Sequence, residues 1–208
     1  MTNERWPDEI TSEKLWHSVI TERLSRYGTY VVKDEYVFHT RNVARFAQKL
    51  AEKIPDMDAE KAYTLGLLHD FGKRIDEAKE NRFHGREGYE AMSEMGFNKI
   101  ARICLTHTFH EKNFKDSDYN YSKEWLNWAH QKLSSLEYDD YDRLIQFCDM
   151  LTDGMKIVSI KGRVDGIQKR YGLSSDQASN LFSMVEKLKK YFDTRCGEDV
   201  YLILDIKE

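Results

Sequence analysis

Apolar residues recur three and four positions apart through most of the chain, the interval that gathers them on one side of an α-helix. Leu15, Val19, Ile20 and Leu24 follow Ser12 and predict a helix capped by the Ser12 hydroxyl and stopped near Gly28. Val43, Phe46, Ala47 and Leu50 predict a second helix over about 34–54, and His39 shares their face, four residues before Val43. A third helix starts near Asp58, after Pro55, and carries Ala62, Leu65 and Gly66 on the side of His69. It stops at His69-Asp70-Phe71-Gly72-Lys73.

Residues 74–83 are polar and predict a loop, and His84-Gly85 opens a short helix that ends at Gly96. The next helix, about 98–108, aligns Ile100, Ile103 and Cys104 with His107. Residues 111–121, EKNFKDSDYNY, lack a helical period and predict a loop, either a lid over a site or a surface connection. Helices over about 122–135, 139–153, 160–171 and 176–192 follow, and the apolar tail 200–206 predicts a strand or a docked extension. With 11 glycines and 2 prolines in 208 residues there is little punctuation for many short strands, so the expected class is all-α. One domain is expected over 1–208, a helical bundle with its core at about 30–155 and additional C-terminal helices at about 156–208.

Charge narrows the partners. A net charge of −4 with acids and bases interspersed provides no basic field for a nucleic-acid polymer, while a small phosphate compound can still be held by a few cations. The longest apolar runs fall short of the ~20 residues a membrane-spanning helix needs, so no membrane partner is expected. The N-terminus, MTNERWPDEI, has no signal-peptide core, and Cys104, Cys148 and Cys196 form no CxxC pair, which points to the cytoplasm. The cysteines read as small buried apolar residues. The oligomeric state stays open, a homodimer included.

His39, His69, Asp70, His84, His107 and Asp149 are polar groups on faces that otherwise turn inward. Burying them without a partner costs roughly 2–7 kcal/mol each, and more for a charge. Two divalent ions satisfy them together, one held by His39, His69, Asp70 and Asp149 and the other by Asp70, His84 and His107, with Asp70 as the bridge. Two ions about 3.5–4 Å apart share a water, lower its pKa and present hydroxide to phosphorus. No GxSxG or Walker-type loop competes with this chemistry. Asp70 and Lys73 are the expected catalytic residues, Lys73 neutralising charge on a phosphate oxygen. Lys73, Arg41 and His110 are the expected substrate contacts; a helix-surface salt bridge is the alternative for Arg41, and a ligand or outer acid role for His110. Imidazole and carboxylate donors suit Fe, Mn, Co, Ni or Zn, with Mg also possible.

These residues resemble the HD-domain metal-dependent phosphohydrolases, whose pattern is a His, then His-Asp, then a later Asp. Here it reads Phe38-His39-Thr40-Arg41, Leu67-Leu68-His69-Asp70-Phe71-Gly72-Lys73 and Phe147-Cys148-Asp149, within about 30–155. The further pair, His84-Gly85 and His107-Thr108, resembles the binuclear branch that includes symmetrical diadenosine tetraphosphate hydrolases. That resemblance implies a two-iron or similar centre and nucleotide substrates. Residues 111–138 are longer than the pattern implies, and the last 50 residues carry no motif of the family. Two alternatives stand beside it: a mononuclear nucleoside 5'-monophosphate phosphatase, and a non-catalytic nucleotide sensor.

Overall fold

Helix α1 (Glu9–Tyr27) runs into α2 (Thr29–Ala51), which packs closely against α3 (Ala59–Leu68). The computed structural model describes residues 5–27, 29–75, 83–119 and 121–207, with residues 27 and 29–34 by backbone alone. After α3 a single 3-10 turn (Phe71–Arg74) leads on, followed by α4 (His84–Glu94), α5 (Asn98–Thr106), α6 (Lys123–Ser134) and α7 (Asp140–Asp149). A minimal hairpin of β1 (Thr152–Asp153) and β2 (Lys156–Ile157) precedes α8 (Ile160–Tyr171), α9 (Ser175–Cys196) and α10 (Val200–Leu204). The fold is all-helical apart from that hairpin, as the apolar spacing predicts.

Several predicted boundaries move for local reasons. Asp8, not Ser12, caps α1: its carboxylate accepts the Thr11 N–H at 2.7 Å, and Ser12 lies inside the helix with its hydroxyl donating to the Asp8 carbonyl. The helix predicted over 139–153 ends at Asp149, and Thr152 and Asp153 turn into the hairpin. The tail is the short helix α10, capped by Asp199, rather than a strand. Its Val200, Tyr201 and Leu204 are buried in the main core, and the Tyr201 hydroxyl accepts the first N–H of α8. The segment 111–121 packs as well as connects, because Phe114 is buried against Phe109 and α6 in a second, smaller core. The predicted loop at 74–83 lies largely outside the described residues.

Two backbone approaches set the relative positions of the helices. A Cβ on Gly66 would lie 2.7 Å from the Ala44 Cα, so α3 and α2 cross at a distance that only glycine permits. A Cβ on Gly72 would lie 1.8 Å from the carbonyl oxygen of His84, so the 3-10 turn sits directly on the start of α4. The first crossing brings His39 to His69, and the second brings Asp70 to His84. The end of α5 is held from α7: Gln146 donates to the carbonyls of Thr106 and Phe109, and the Thr106 hydroxyl donates to Asp142 at 2.7 Å. Those bonds satisfy carbonyls that a helix end leaves open, and they fix the backbone on either side of His107.

Candidate metal centre

Five of the six expected ligands stand at or just beyond helix ends, and these ends converge. His69 follows α3, Asp70 opens the 3-10 turn, His84 is the first residue of α4, His107 follows α5, and Asp149 closes α7. His39 reaches them from within α2. Donor atoms of His39, His69 and Asp70 lie within 4.8 Å of one another, and so do those of Asp70, His84 and His107. The Asp149 Oδ1 completes the first set at 3.1 Å from His39 Nε2 and 3.6 Å from His69 Nε2.

Asp70 belongs to both sets, one oxygen to each. Its Oδ2 faces His39 Nε2 at 3.4 Å and His69 Nε2 at 3.6 Å, while its Oδ1 faces His107 Nε2 at 3.5 Å and His84 Nε2 at 3.6 Å. The residue is 1% exposed, and Oδ1 has no hydrogen-bond partner, while Oδ2 is met by the Lys73 ammonium. A buried carboxylate in that state is costly unless a cation satisfies it. Lys73 Nζ, 2.6 Å from Oδ2, supplies charge on one side only.

Backbone acceptors set the imidazoles to meet such a cation. The Nδ1 of His69 is 2.7 Å from the Gly66 carbonyl and the Nδ1 of His107 is 3.0 Å from the Ile103 carbonyl. A carbonyl only accepts, so each Nδ1 carries the proton and each Nε2 presents a lone pair to the cluster. His39 is oriented instead by the Thr152 hydroxyl, 2.5 Å from its Nδ1. The donor set, the orphaned Oδ1 of Asp70 and the inward lone pairs all fit two divalent ions.

The electrostatics agree. Burial alone would raise the Asp70 carboxyl, but the Lys73 ammonium and the neighbouring imidazoles outweigh it and hold the group well below the usual carboxylate range. Burial would raise Asp149 as well, but the His39 and His69 side chains beside it hold it low. The thiols of Cys104 and Cys148 are buried and raised by that burial, which makes them apolar packing groups.

The remaining expected residues divide. Lys73 is at the cluster and a third exposed. His110 lies near Asp149; burial pushes its imidazole down to about 4 despite that carboxylate, and its Nε2 has no hydrogen-bond partner. Arg41 is not brought to the cluster. Its guanidinium is held by both Glu13 oxygens at 2.6 Å and by the Tyr63 hydroxyl, over the Trp16 ring, so it ties α1, α2 and α3 together as the salt-bridge alternative predicts. Sequence reasoning passed over Thr152, because a hydroxyl more than a hundred residues from His39 carries no local signal of a site.

A helical bundle whose helix ends gather two His/Asp sets around one shared aspartate has the build of a binuclear metal-dependent hydrolase. The chain matches the family model of the HD domain over residues 36–153, more than half of its length, and belongs to that family. No curated protein and no solved structure matches it. The family match and the binuclear cluster together make it an HD-superfamily hydrolase.

Proposed function

We propose that the protein hydrolyses a phosphoester or phosphoanhydride bond of a small nucleotide, with His39, His69, Asp70 and Asp149 holding one divalent ion and Asp70, His84 and His107 the other. The observation that carries this reading is the division of Asp70, which turns one oxygen to each histidine pair. Two divalent cations bound at such a site supply an activated water and polarise the phosphoryl group.

The chain's own residues do the rest. Asp70 is kept ionised, and it holds the two halves in register. Lys73, a third exposed and one turn beyond Asp70, binds a non-bridging phosphate oxygen and offsets the charge that grows as the bond breaks. His110 is neutral at pH 7, and its unpartnered nitrogen contacts the substrate beside Asp149. Burial of the cluster between helix ends limits bulk water, which strengthens each of these interactions.

The chain acts as one domain in this reading, since Val185, Phe192, Val200 and Leu204 of the C-terminal helices lie in the same core as Val43 and Leu65. Iron heads the expected metals by family resemblance, and the cytoplasm is the expected compartment. Among the described residues no helix is long and apolar enough to cross a membrane.

The test is metal content of protein purified without added ions, combined with phosphate release from a panel of mono-, di-, cyclic and dinucleoside phosphates. Two ions per chain and chelator-sensitive turnover of at least one nucleotide are expected. Full metal loading with no turnover across the panel, or turnover indifferent to chelation, would overturn the reading.

A further inference from the structure

We propose that Thr152 is a positioning residue for His39, and that α8 governs the metal affinity of the centre by clamping Asp153 beside it. This rests on the reading of His39 as a ligand. His69 and His107 take their orientation from carbonyls three and four residues back in their own chain segments, so the helix that carries each one also fixes its tautomer. His39 differs. Its Nδ1 meets a side-chain hydroxyl 113 residues away, at 2.5 Å. A hydroxyl can donate or accept. When Thr152 accepts, Nε2 keeps a lone pair for a cation, so this one oxygen both orients the ring and supports the tautomer that can serve as a ligand.

The hairpin that carries Thr152 is two residue pairs long and has little rigidity of its own. Its firmness comes from α8. Asp153 accepts from Arg163 at 2.9 Å and also pairs with Arg170. Between those arginines, on the same helix face, Gly166 lets the carboxylate lie flat on the helix: a Cβ there would stand 2.3 Å from Asp153 Oδ2. Residues 163, 166 and 170 therefore form a socket for Asp153, and Thr152 is fully buried next to it. The HD family match ends at residue 153. The socket thus joins the matched segment to the C-terminal helices outside it and gives α8 a direct role at the centre.

The experiment is titration of the chelated full-length protein with Mn2+ alone, followed by calorimetry, with circular dichroism and thermal unfolding of the metal-free forms as folding controls. Thr152→Val should weaken one of the two ions by about 10–100-fold, the range for loss of a group that orients a metal ligand. The second ion should be weakened less than the first, and Thr152→Ser should restore parental binding. Arg163→Gln with Arg170→Gln, which leaves Thr152 in place, should weaken the same ion by a smaller factor. Parental binding of both ions by Thr152→Val, or no recovery in Thr152→Ser, would overturn the role of Thr152. Parental binding by the double arginine variant would overturn the role of α8, and that variant also serves if Thr152→Val does not fold. His39→Ala separates the two levels: if it still binds two ions, the ligand reading itself fails, whereas loss of one ion there with none in Thr152→Val sinks only the present inference.

Discussion

The Nε2 atoms of His39 and His69 face each other at 3.1 Å. In His69 that nitrogen carries a lone pair, because the Nδ1–H on the other side of the ring donates to the Gly66 carbonyl. The Nε2 atoms of His84 and His107 repeat the arrangement at 3.3 Å. Two imidazole pairs closing on one carboxylate form a setting that positive charge among them would stabilise.

Removal of that charge should therefore be felt by the whole fold. Chelation is expected to lower the unfolding temperature, and an ion at about 100 times its Kd should restore about 2.7 kcal/mol per site. Differential scanning calorimetry of chelated and reloaded protein measures this directly, and an unchanged transition would show that the cluster holds no metal in solution.

His84→Ala and His107→Ala should each reduce bound metal from two ions to one per chain, since the other set keeps His39, His69, Asp70 and Asp149. Metal analysis after dialysis reads the stoichiometry. Two retained ions in both variants would mean that the second set has been assigned to the wrong residues.

Asp70→Asn strikes both halves. An amide keeps the shape but loses the charge facing all four imidazoles, and turnover should fall by on the order of 10²-fold or more, beyond the cost of losing a merely orienting group. The fall should appear in kcat, with the helical content of the variant unchanged by circular dichroism.

Gly66→Ala places a methyl group 2.7 Å from the Ala44 backbone, where nothing flexible can yield. Overpacking of this kind costs about 1–3 kcal/mol. Chemical unfolding of the metal-free variant should show that loss, and metal affinity should fall with it because the same crossing spaces His39 from His69.

His110 makes a prediction about pH. Its imidazole titrates near 4 in the folded protein against 6.5 for an ordinary histidine, so as pH falls the unfolded chain takes up the proton first. Stability is intact above 6.5 and is lost progressively as pH falls from 6.5 towards 4. His110→Gln should flatten that part of the profile, measured as the difference from the parent in urea unfolding of metal-free protein. Equal slopes in the two proteins would refute the buried-neutral state.

The helices and their inward histidines were legible in the sequence because apolar spacing places His39 beside Val43 and His107 beside Ile103 and Cys104 without knowledge of the fold. The His69-Asp70 pair announced itself by stopping an apolar helix. The cap at Asp8, the break at Asp149 and the helical tail were not legible, because each is decided by a contact made after folding: a carboxylate on one N–H, a hairpin tucked beside α8, and Tyr201 meeting the start of α8. Arg41 shows the opposite failure. Proximity in sequence to His39 suggested substrate, while the helix turned it towards Glu13.

The division of Asp70 between two histidine pairs also governs how the centre fills. An ion arriving in one half draws on the carboxylate that the other half must use, yet it also pins that carboxylate in the pose the second ion needs. Loading is consequently a linked equilibrium, and the affinity measured for either ion depends on whether its neighbour is already in place.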